Sequence, residues 1–117
     1  FKGLENKSKI TEAEIDRQKL MDRKKEIEQQ ILMQVDNARN SVITARKTIN
    51  AAMDEETAAG KGFVAVEKRY RQGMASYIEY LDALTTLTNA RIQVVIATYD
   101  YLIYLAEYER VTATYLI

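Results

Sequence analysis

The chain has 117 residues, enough for one domain and too few for a second independent core. It contains no Pro, Cys, His or Trp and only four Gly, so turn chemistry is scarce. That composition disfavours sheets joined by tight turns and points to a few long helices. Without His or Cys the usual zinc, copper, haem and thiol chemistries are missing, as are nucleophile–His pairs. No cofactor is expected, and the chain is read as a non-enzyme.

Basic and acidic residues balance at 17 each, which gives no reason to expect nucleic acid as a partner. The balance hides an asymmetry. Residues 1–73 hold 15 of the Lys and Arg and 12 of the acids, whereas residues 74–117 hold 2 and 5. No stretch reaches the roughly 18 uninterrupted apolar residues of a membrane-spanning helix, and no signal peptide is expected among these residues. The chain opens on Phe1-Lys2-Gly3 and stops on Tyr115-Leu116-Ile117, and it reads as a segment of a longer protein.

A first helix is predicted from about residue 6 to 71. Thr11 and Glu14 have capping-box spacing, although Asn6 or Ser8 also suits a helix start. Ile10, Ala13, Leu20, Ile27 and Ile31 form a thin seam, with Arg17 and Lys24 at two of its positions. The charged run Arg23-Lys24-Lys25, flanked by Asp22 and Glu26, reads as a solvated helix face paired within itself. The four-residue step from Ile31 to Val35 is a stutter, which locally unwinds a supercoil. From Val35 a 3-4 alternation then runs through Ala38, Val42, Ala45, Ile49, Ala52, Glu56, Ala59, Phe63, Val66 and Tyr70. Only Glu56 is polar. Such a seam calls for knobs-into-holes packing against another helix. Gly60 and Gly62 cost about 1 kcal/mol each inside a helix. The seam nevertheless keeps its phase across them, so one continuous helix is expected.

Gly73 follows a basic last turn (Lys68, Arg69, Arg71) and suits a helix C-terminus. Ser76 and Glu79 then make an S-x-x-E capping box, so a tight turn is predicted at about 72–75 and a second helix at about 76–117. Its seam runs Tyr80, Ala83, Leu87, Ala90, Val94, Ala97, Tyr101, Tyr104, Tyr108, Val111 and Tyr115. The tyrosines at this spacing read as packing residues rather than a ligand box. Leu81, Leu84, Val95, Leu102 and Leu105 form a second strip that widens the apolar face beyond one partner. At ~1.5 Å per residue the two helices span about 100 Å and about 63 Å. Folded back antiparallel, the second covers only the lower part of the first and leaves the part before about residue 30 without an intramolecular partner. The expected fold is all-α: a long antiparallel coiled-coil hairpin forming a single segment over residues 1–117.

The stretch Glu67-Lys68-Arg69-Tyr70-Arg71-Gln72-Gly73-Met74-Ala75-Ser76, with Leu81-Asp82-Ala83 after it, resembles the TolC-like outer membrane efflux proteins. Their pattern is Y-x-x-G-x-x-[ST] followed by L-D-A. Leu87-Thr88-Asn89-Ala90 and Ala97-Thr98-Tyr99-Asp100-Tyr101-Leu102 are similar to the motifs that follow in that family. Phe1-Lys2-Gly3 is similar to its F-x-G. Gly60, Gly62 and Met74-Ala75 depart from the pattern. The resemblance implies a periplasmic hairpin of the second structural repeat, part of the α-barrel of a homotrimeric channel in the bacterial outer membrane. It further implies that the turn meets a periplasmic adaptor (membrane fusion) protein and, through it, an inner-membrane pump. By motif, Gln72, Gly73 and Ser76 would lie at the adaptor-facing tip. Tyr70 would make an entrance contact between hairpins, and Glu79 and Asp82 would join an acidic entrance ring. The segment itself would lie outside the membrane and carry out no catalytic step. The competing reading is a coiled-coil or helical-bundle scaffold module without channel activity.

Overall fold

A computed structural model of the protein describes residues 2–115. Phe1 of the F-x-G, and Leu116 and Ile117 at the end of the predicted second helix, lie outside the described residues. So does the side chain of Tyr115, the last position of the second seam. Two helices account for nearly all the rest: α1 over Lys2–Arg71 and α2 over Tyr77–Tyr115. The absence of Pro lets both run without a missing backbone donor. Threonines inside them turn their hydroxyls onto the carbonyl four residues back, as Thr48 does to Thr44 and Thr98 to Val94. Thr11 belongs to this group, since it lies within α1 and donates to the carbonyl of Lys7 at 2.9 Å.

The chain divides into two compact units, residues 1–37 and residues 38–117. In the first, every described residue from Lys2 to Gln30 is exposed, apolar ones such as Ile10, Leu20 and Ile27 included. The sparse, charged seam therefore covers nothing there.

In the second unit α1 and α2 pack antiparallel. Phe63 meets Tyr80 at 5.6 Å between ring centroids, and the Glu56 carboxylate lies 3.8 Å from the Arg91 guanidinium. Ala52 and Ala97 line one groove between the two helices. The α1 seam from Ala38 to Val66 is buried or half-buried at every position, and Glu56, its one polar member, has Arg91 as its partner. The buried set among the described residues is Ala45, Ala52, Leu87, Ala90, Ala97 and Val111. Four of the six are alanine, which lets the helix backbones approach closely.

On α2 the expected seam holds from Tyr80 to Val111 except at Tyr104. Tyr104 is exposed, while Leu105 and Tyr108 are half-buried.

The second strip on α2 is not covered by α1. Leu81, Leu84, Val95 and Leu102 are all exposed, and only Leu105 is half-buried. At about 100° per residue Val95 lies roughly 160° round the helix from Ala97, so the strip occupies the back of α2. Ile92 and Tyr99 extend it and are exposed as well. Helix α2 thus carries two apolar faces, one covered by α1 and one open.

Gly60 and Gly62 sit in regular helix. A methyl group added at Gly60 would meet Leu87 Cδ1 at 3.9 Å, an ordinary contact, and one at Gly62 would meet open space. Neither position needs glycine for room.

Candidate functional site

The turn between α1 and α2 gathers most of the residues singled out from the sequence. It begins where α1 runs out of carbonyl partners. Gly73 takes φ +74, the left-handed conformation that glycine adopts without a Cβ penalty. Its N–H donates to the carbonyl of Tyr70 at 3.0 Å, and the Met74 N–H donates to that of Arg69 at 2.8 Å. These two bonds form a Schellman motif and satisfy carbonyls that the helix end leaves open. Gln72, just before, still donates its N–H to Lys68 at 3.2 Å.

Three residues beyond Gly73, Ser76 caps the start of α2. Its Oγ accepts the N–H of Glu79 at 3.1 Å, and its carbonyl accepts the N–H of Tyr80 at 3.1 Å. This is the N-cap half of the predicted box. The Glu79 side chain goes elsewhere: its Oε2 lies 3.6 Å from Nη2 of Arg69, across the turn. The same Arg69 nitrogen donates to the carbonyl of Met74 at 3.5 Å. Arg71 is held by Glu67 at 2.6 Å, one turn back along α1.

Aromatic rings fill the space behind the turn. Tyr70 stacks on Tyr80 at 4.9 Å, Phe63 approaches Tyr80 from the α1 side, and Tyr77 lies 6.2 Å from Tyr70 and 6.5 Å from Tyr80. Tyr77 and Tyr80 are three residues apart and share a face of α2, while Tyr70 is the last seam residue of α1. Closing the turn therefore brings all three together.

The structure thus places Tyr70, Gln72, Gly73, Ser76 and Glu79 in one small region. Asp82 stands apart, exposed about one turn along α2, where its carbonyl accepts the hydroxyl of Thr86. Sequence reasoning missed Arg69 as a cross-turn partner and Tyr77 as a member of the stack. The clustering of tyrosines after residue 76 was the available signal for the second. On the outer side Met74 and Ile78 are about 70% exposed, so the turn presents apolar side chains to solvent. Nothing in this arrangement is a reactive constellation. It is a rigid corner with a polar cap, an aromatic backing and an apolar outer surface.

Among the described residues no helix is long and apolar enough to cross a membrane. No curated protein and no solved structure matches the chain significantly. The family model described as "Outer membrane efflux protein" matches residues 1–113, and that span contains both helices almost entirely and the whole turn. The chain belongs to the outer membrane efflux protein family, a family of channels rather than enzymes.

Proposed function

We propose that this hairpin forms part of the tunnel wall of a homotrimeric efflux or export channel. It stands in the periplasm, with the Gln72–Ser76 turn as the tip that faces a periplasmic adaptor protein. An inner-membrane pump, coupled through the adaptor, supplies the energy. The observation that carries this reading is the pair of opposed apolar faces on α2. A helix covered on one side by α1 and still apolar on its back suits a wall built of adjoining helices, in which each has two neighbours. The family match supports the channel, and the tight glycine-capped turn supports the tip.

In this reading Gln72, Gly73 and Ser76 form the adaptor-facing surface. Tyr70, still partly exposed beside Tyr80, contributes to contacts between hairpins at the entrance. Asp82 and Glu79 supply an acidic ring that concentrates cations at the mouth. The test is crosslinking from a cysteine placed at Ser76 in cells that hold the assembled channel. A crosslink to a periplasmic adaptor is the expected result. An assembled channel whose Ser76 position crosslinks to no adaptor would sink the proposal.

A further inference from the structure

Arg69 and Glu79 occupy equivalent places on the two helices. Arg69 lies in the last turn of α1, where a cation is favoured by the exposed carbonyls, and Glu79 lies in the first turn of α2, where an anion is favoured by the exposed N–H groups. Each charge would be well placed without the other. The structure adds a link between them: Arg69 Nη2 is 3.6 Å from Glu79 Oε2 and 3.5 Å from the carbonyl oxygen of Met74. One guanidinium, rooted in α1, therefore reaches both the middle of the turn and the start of α2. Arginine suits this task because its planar fork offers several donors in fixed directions. Glu79 is meanwhile fixed at its backbone, which donates to Ser76 Oγ at 3.1 Å. Its carboxylate hangs from a held point and reaches back over the turn.

We propose that Arg69 is a positioning residue for the tip, a strap that holds the turn closed by tying Met74 and Glu79 to the end of α1. It rests on the tip reading above only for its use in docking; the strap itself is a property of the free chain. Both side chains are about half exposed, so the link is weak in energy, and it acts on how often the turn opens rather than on whether the hairpin folds. Glu79 then serves the corner first, and Asp82 is left as the carboxylate that faces the mouth without a partner across the turn.

The test is amide hydrogen exchange at Gly73 and Met74, whose N–H groups are hydrogen-bonded in the closed turn, in the free chain, comparing Arg69→Gln, Glu79→Gln and the double variant. Each single change is expected to speed exchange at these amides by about two- to fivefold, with helix content unchanged. Loss of each charge from its own helix end also contributes, but those two effects are independent and multiply. A strap instead makes the double variant's acceleration clearly smaller than the product of the two single accelerations, and raised salt narrows the difference from wild type. Multiplying effects in the double variant, or unchanged exchange in both single variants, would overturn the proposal. Neither result depends on the adaptor crosslink at Ser76, so each reading can fail alone.

Discussion

Tyr70 and Tyr80 stack at 4.9 Å with their planes 28° apart, joining the last seam residue of α1 to the first of α2. Tyr80 is the hub, because Phe63 and Tyr77 approach the same ring. Aromatic pairs contribute about 0.5–1.5 kcal/mol beyond the area they bury. Tyr80→Ala is therefore expected to destabilise the hairpin by about 2 kcal/mol or more, and Tyr77→Ala by under about 1 kcal/mol. Urea unfolding of the two variants checks the order. Equal losses would show that Tyr80 is no hub.

Two of the four glycines separate by one measurement. Gly73→Ala puts a Cβ into the left-handed region and is expected to cost about 1–2 kcal/mol. Gly62→Ala fills open space in regular helix and is expected to stabilise by about 0.5–1 kcal/mol. Thermal unfolding of both variants beside wild type reads the two signs directly.

Most of the hairpin was readable in the chain because a 3-4 alternation and a glycine-capped basic turn are local patterns. The α1 seam from Val35 to Val66 and the turn at Gly73 needed no tertiary knowledge. The exposure of Tyr104 was hidden because periodicity places it on the seam between Tyr101 and Tyr108 and does not show which single position the partner helix leaves open. The open second strip on α2 was legible too: Leu81, Leu84, Val95 and Leu102 widen the apolar face beyond what one partner helix covers, and α1 leaves all four exposed. The Arg69–Glu79 link was invisible because its ten-residue spacing has no helical meaning until the turn closes.

Near the end of α2, Arg110 grips both oxygens of Glu107, at 2.6 and 3.0 Å. These hydrogen bonds, opposed by desolvation and helped by the positive charge of Arg110, hold the Glu107 carboxyl below the ordinary glutamate range. A carboxylate lowered on folding stabilises the helix above its unfolded pKa, and that contribution is lost as pH falls through the lowered value. NMR titration of Glu107 should give a midpoint under that of a free glutamate. Arg110→Gln should return it upward, and an unmoved midpoint would contradict this account.

The open face of α2 predicts concentration-dependent self-association of the free chain. Val95 and Leu102 are at least half exposed, so changing both to Lys leaves the α1 contact intact. Sedimentation velocity should show the wild type associating as concentration rises and the double variant remaining smaller. A wild-type monomer throughout the concentration range would contradict this reading.

In the proposed channel Asp82→Asn is expected to reduce cation preference in single-channel recordings, because it would remove one negative charge per copy from the proposed entrance ring. Unchanged selectivity would remove Asp82 from the ring. Tyr70→Phe keeps the stack on Tyr80 and deletes only the hydroxyl, so hairpin stability should hold. A change in closed-state conductance would then locate the entrance contact in that hydroxyl.

The alanines at 45, 52, 90 and 97 act together as a spacing gauge. Their tolerance is one-sided. Trimming one to glycine removes a single methyl and costs about 1 kcal/mol, chiefly in helix propensity. Enlarging one to leucine wedges the two backbones apart, and since both helices are stiff the gap extends to neighbouring layers, at about 1–3 kcal/mol or more. A side chain on the outer face changes only its own surroundings, whereas one in this lane changes the clearance of the whole pair.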